Sequence, residues 1–201
     1  MKMDRSNSTS PEVQWAKNVI LADADYLDAL VFDVSVQLER MLERPLPKLD
    51  LARWADYVAL DGGLRPGDNQ VQLLLIHSKK KNILKNVLPA NLTTEIDGQA
   101  FRDNLGEFSL SAFPVEETMV TPGQLFAQSV EALLASERVE RLMLVGDVAA
   151  YGDELAAVLK DTGQKQVTVF TLQTVSGMHC PQEMLTYSLL AALGVSSDEV
   201  K

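Results

Sequence analysis

The chain has 201 residues, 46% hydrophobic and 23% charged, with a formal net charge of -10 and a pI near 4.7. That length carries one α/β domain with a real core, and the acidity argues against a general nucleic-acid coat protein, because such a surface repels phosphate backbones at long range. A single cysteine, Cys180, excludes an intramolecular disulfide and fits a reducing compartment.

The opening MKMDRSNSTSPEVQ is polar and lacks the apolar region of a signal peptide. No run approaches the roughly 20 apolar residues that a membrane span needs, so a cytoplasmic protein without membrane contact is expected. Residues 1–13 read as a disordered tail, 14–195 as one domain and 196–201 as a C-terminal tail.

KNVILAD is a short apolar run rich in Val, Ile and Leu, the pattern of a buried strand. YLDALVFDVSVQLERMLER follows as a helix, with Leu27, Leu30, Val31, Val34, Leu38, Met41 and Leu42 on one side and Asp33 either on the solvent side or in an interhelix bond. Pro45 and Pro47 stop it. LDLARWADYVALDGG is a second helix, with Asp50 as N-cap, Trp54 in the core and Gly62 or Gly63 at the C-terminal stop.

RPGDNQ is a turn, VQLLLIHS a second buried strand, and KKKNILKNVLP a basic, helix-like segment ended by Pro89. Residues 90–106 show no clean period. GEFSLSAFPVE alternates Phe108, Leu110 and Ala112 against Ser109 and Ser111, which reads as a third strand. TPGQLFAQSVEALLASE is a helix with Thr121 as cap and Pro122 in its first position. RLMLVGD is a fourth strand, DELAAVLKDTG a helix, QVTVFTL a fifth strand and PQEMLTYSLLAALG a final helix. That last helix is apolar on most sides, so it either packs on the sheet or pairs two subunits.

Short apolar strands separated by helices define an α/β protein with a mostly parallel five-stranded sheet flanked by helices on both faces. Ligands of such sheets sit outside the C-terminal strand ends. Asp23, Asp25 and Asp147 all fall at such ends. Asp23 and Asp25 have the same parity, so as strand residues they project to one face. Two like charges together suit a hard cation, and a Mg²⁺ or Mn²⁺ ion there would activate water and stabilise the charge of a phosphodiester displacement. The alternative is that Asp23 and Asp25 cap the helix starting near Leu27 and interact with its dipole.

VILADADYLDAL resembles the first strand and helix of NYN domains, relatives of the PIN-domain ribonucleases, where the strand ends in a D-x-D-N-L pattern. RLMLVGDVAAYGDELAAVLKDTGQKQVTVF resembles the strand, Gly-Asp turn, helix and strand that close that fold, with Gly146 and Asp147 on the G-D pair, Tyr151 on the aromatic and Gly163 on the later glycine. The resemblance covers roughly residues 15–172. It implies a PIN/NYN-like fold and a metal-dependent ribonuclease, with Asp23 and Asp147 as ligands of Mg²⁺ or Mn²⁺ and Asp25 assisting catalysis.

The departures are specific. Tyr26 stands where the family has asparagine, and Ala149 replaces the second aspartate of the family's G-D-S-D. The helix after Thr121 offers Gln124 and Gln128 where an acid is expected. The acids nearby are Glu116, Glu117 and Glu131, with Asp153 on the other side. Two of the family's four acids remain. The resemblance therefore implies either a weakened nuclease or an inactive relative that serves as an interaction or assembly module, as a homo-oligomer or with a protein partner. A small-molecule-binding α/β protein using the same strand ends is a third reading.

Lys79, Lys80, Lys81 and Lys85 form the one concentrated basic patch in an acidic chain. They are either a solvated surface or, if RNA binds, its phosphate contacts. His77, His179 and Cys180 show no zinc-ligand spacing, and no phosphate-binding or dinucleotide glycine motif is present.

Overall fold

A computed structural model describes residues 14–116 and 118–200. The expected N-terminal tail, Glu117 and Lys201 lie outside the described residues.

In chain order the elements are β1 (Asn18–Asp23), α1 (Ala24–Leu42), β2 (Leu49–Asp50), α2 (Leu51–Asp61), β3 (Asn69–Ser78), β4 (Val87–Leu88), a π-helical turn (Leu92–Ile96), β5 (Ala100–Arg102), β6 (Gly106–Val115), α3 (Pro122–Ala135), β7 (Arg141–Val145), α4 (Val148–Val158), β8 (Gln166–Thr171), β9 (Gln182–Met184) and α5 (Leu185–Ala192). All five expected strands form. The sheet nevertheless has seven strands rather than five, in the order β5-β6-β3-β1-β7-β8-β9. Every pairing is parallel except β5 with β6. The two additions have three residues each, too few to display an alternation. β2 and β4 pair in a separate two-stranded ribbon.

Period-two geometry sorts the strand residues into two cores. Ile20 and Ala22 of β1 face the layer of α1, α2 and α5, together with Leu73, Leu75 and Met143. Val19 and Leu21 face α3 and α4, together with Leu74, Ile76, Leu142 and Leu144. β1, β3 and β7 are thus buried on both faces, which is why they read as unbroken apolar runs. Trp54 is fully buried in the first core, as its helical spacing predicts. Burying each Leu, Ile or Val of these cores contributes about 1.5–3 kcal/mol, opposed by the conformational entropy of ordering the chain.

Asp50 caps α2 by accepting from the Arg53 N–H at 3.1 Å. Thr121 and Gln124 form a reciprocal capping box with Pro122 at the start of α3. Asp33 is exposed on α1, but so is Met41, which the sequence pattern placed on the buried side. α5 packs against α2. The chain end folds back on the domain, with Glu199 bonded to Arg44 at 2.6 Å and Val200 against the first core.

The expected helix KKKNILKNVLP does not form. Asn86 directs its N–H to the Asp28 carboxylate at 2.7 Å, Leu84 donates to the Ala90 carbonyl at 2.8 Å, and Val87 and Leu88 pair with β2. The three-residue spacing of Leu84 and Val87 imitates a helical period, but the asparagine and its partner take the backbone into a loop.

Candidate functional site

From β1 the chain moves outward to β3 and β6, then returns to β7 on the other side of β1. The crevice between the C-terminal ends of β1 and β7 is the topological switch point, where open α/β sheets bind ligands. Asp23 ends β1, and Asp147 follows β7 after Gly146. The register pairs Ala22 with Val145, so the two acids rise from adjacent strand ends.

Asp23 is only 7% exposed. α1 begins at the next residue, and Asp23 caps it: Oδ1 accepts from the Tyr26 N–H at 3.0 Å. Oδ2 accepts from the Tyr151 hydroxyl, also at 3.0 Å. Burial raises the pKa of Asp23. The two hydrogen bonds oppose that rise, and the charges of Asp25 and Asp147 add to it.

Tyr151, which the sequence matches only to the aromatic of the Gly-Asp turn motif, links the two acids in the structure. Its hydroxyl donates to Asp23 and accepts the Asp147 N–H at 2.9 Å, joining the two strand ends through one oxygen. α4 departs from helical geometry at this residue (φ -138, ψ 29). Two glycines make room for the ring. A Cβ at Gly123 would stand 2.6 Å from the Tyr151 Cβ, and one at Gly146 would stand 2.6 Å from the Tyr151 hydroxyl. The Phe126 ring packs against it at 5.4 Å between centroids. Burial, with the charge of Asp23 beside it, holds the phenol far above its ordinary pKa, so it is a neutral donor.

Asp147 caps α4, its Oδ1 accepting from the N–H groups of Ala149 at 3.1 Å and Ala150 at 3.0 Å. α4 starts directly after it, five residues before the expected helix start at Asp153. Asp153 is exposed on that helix. Asp25 departs from the parity argument, because the strand ends at Asp23 and Asp25 belongs to the first turn of α1. Its Oδ2 accepts the Ser78 N–H at 2.7 Å, and Lys81 Nζ lies 3.8 Å from Oδ1. Tyr26 lines the same crevice; burial and the negative charges of Asp147 and Asp23 raise its pKa.

These groups line a cleft of about 640 Å³. A second cleft of about 460 Å³ shares Asp25, Ala29 and Lys81 with it and continues along Lys80–Lys85. Three of the four lysines therefore line the acids' groove or its extension. Lys79 turns away and pairs with Glu116 at 2.6 Å. His77 is buried beneath this loop, its Nδ1 2.9 Å from the Ser78 carbonyl and 3.2 Å from the Lys81 carbonyl, so that nitrogen carries the proton. Another concavity, of about 790 Å³, lies at the opposite ends of the strands, around Arg141, Asp161 and Lys165. Gln124 is spent on the α3 cap, and among the described residues no group of three or more His, Cys, Asp or Glu side chains is placed to hold a metal ion.

The fold and this crevice define a doubly wound α/β protein whose switch point is closed by a tyrosine between two capping aspartates. The chain belongs to DUF6621, a family of unknown function whose model matches residues 12–200. No curated protein and no solved structure matches it. None of its described helices is long and apolar enough to cross a membrane.

Proposed function

We propose that this chain is an NYN/PIN-like domain that has given up metal-dependent RNA cleavage and acts as an interaction or assembly module. The observation that carries this reading is the Tyr151 hydroxyl, which occupies the space between Asp23 and the Asp147 backbone.

The Mg²⁺ or Mn²⁺ ion that the resemblance implies does not fit this donor set. Such an ion prefers ionised carboxylate oxygens in a near-octahedral arrangement, with water in the remaining positions. Each Asp23 oxygen already accepts a hydrogen bond, one from a backbone amide and one from a buried phenol. Burial also favours the neutral form of Asp23, which is the poorer ligand. Asp147 Oδ1 takes two backbone N–H groups. Ala149 and Gln124 bring no further charge.

The test is a calorimetric titration of Mn²⁺ into the wild type and into Asp23→Asn combined with Asp147→Asn, alongside incubation of a labelled RNA with Mn²⁺. The expected result is no saturable heat that depends on these two residues, and intact RNA. Saturable binding that disappears in the double variant, together with RNA cleavage that disappears with it, would overturn the proposal.

A further inference from the structure

The loop between β3 and β4 is fixed at several points and turns its cations outward. Leu84 and Val87 are buried. The Leu92 N–H donates to the Asn82 carbonyl at 2.9 Å, and Asn86 is held by Asp28 through both its backbone and its side chain. The His77 ring ties Lys81 from below.

From this frame Lys80 and Lys85 project without an ion-pair partner among the described residues. Ile83 stands between them in sequence, 54% exposed, on the same cleft as both. Ala29 of α1 adds a small apolar surface. The other wall is Asp25 and Asp28, each already holding a backbone amide. Unpaired cations around an exposed aliphatic group are conspicuous in a chain of net charge -10.

The geometry points to a docking groove between α1 and the Lys80–Lys85 loop for an acidic peptide that carries an aliphatic side chain. Its carboxylates meet Lys80 and Lys85, and its apolar residue covers Ile83 and Ala29. A peptide suits this groove better than single-stranded nucleic acid. No aromatic ring lines the cleft to stack a base. The fixed loop lowers the ordering cost of binding. This inference rests on the reading of the chain as an interaction module and names the chemistry of its partner.

The probe is a fluorescein-labelled dodecapeptide of the repeat Asp-Glu-Leu-Glu, followed by fluorescence anisotropy on the full chain. Controls are the same repeat with Lys in place of the acids, and a labelled oligouridylate. The acidic peptide is expected to bind saturably and the controls not. Lys80→Glu with Lys85→Glu should weaken it roughly tenfold, and about 0.5 M salt should weaken it further. Ile83→Ser should weaken it independently of salt. All three side chains are exposed, so circular dichroism should show the fold unchanged.

Absence of saturable binding, or binding indifferent to these variants, would overturn the groove. Oligouridylate binding that depends on Lys80 and Lys85 would overturn the choice of peptide in favour of nucleic acid. The two proposals fail separately. Mn²⁺-dependent RNA cleavage with intact peptide binding would remove only the inactive strand-end reading, and intact RNA without peptide binding would remove only the groove.

Discussion

Replacing Tyr151 by Phe removes one oxygen and keeps the ring in place between Gly123, Gly146 and Phe126. Two hydrogen bonds disappear with it, the donation to Asp23 Oδ2 and the acceptance from the Asp147 N–H. A hydrogen bond to a charged group contributes about 1.5–3 kcal/mol and a neutral one about 0.5–1.5. Asp147 is half-buried, so water partly replaces the second bond. The expected loss near neutral pH is about 2–3 kcal/mol, a fall in Tm of roughly 4–12 °C for a chain of this size.

The loss also depends on pH in a defined direction. Tyr151 stabilises the ionised form of Asp23, and so lowers a pKa that burial has raised. Its contribution is present when Asp23 is charged and fades as pH falls through the folded-state pKa of Asp23. Urea unfolding of wild type and Tyr151→Phe at several pH values should show the gap narrowing towards acid. A Tm within about 1 °C of wild type at neutral pH, or a gap that widens in acid, would refute the account of the hydroxyl as the link between the strand ends.

Asp56 and Asp103 supply a second pH signature. Asp56 Oδ1 is buried without a hydrogen-bond partner, and burial, with Asp103 facing it, pushes the Asp56 pKa up to about 6. A raised folded-state pKa stabilises the fold fully in acid and loses that contribution as pH rises through about 6. Asp56→Asn should flatten this slope by about 1 kcal/mol, after discounting for solvent screening, in urea unfolding followed across the range. At Gly123 an alanine Cβ would meet the Tyr151 Cβ at 2.6 Å, close to the backbone of α4, so the contact cannot be relieved by a rotamer change. Gly123→Ala should destabilise by about 1–3 kcal/mol in thermal melts.

The central strands were legible because burial on both faces leaves unbroken apolar runs, as in LLLI of β3 and LMLV of β7. β5 is held by pairing with β6 and by the Phe101–Phe108 stack at 4.7 Å, partners that its three residues do not announce. Asp23 and Asp147 were visible as strand-end acids; the capping alternative for Asp23 is what its hydrogen bond to the Tyr26 N–H records, whereas the cap at Asp147 was hidden because its helix starts five residues before the expected Asp153. Asp25 reaches the same cleft as Asp23, but from the first turn of α1 rather than as a strand residue, because the strand passes into the helix with no intervening loop. Tyr151 and Asp23 are 128 residues apart, and no local pattern brings them together. What the sequence did carry was the pair of glycines, Gly123 and Gly146, that leave room for a ring.

The two shortest strands of the sheet also have a consequence for self-association. β5 and β9 form its outer borders, three residues each, and an open border is a template on which another chain can extend the ladder. β5 and β9 themselves offer only three residues each to such a neighbour. β5 ends on Arg102, paired with Asp68 and Glu107, and β9 is preceded by Pro181. Extension of the sheet by another chain is therefore disfavoured at β5 and β9 themselves, and any such neighbour has only three residues of each to pair with.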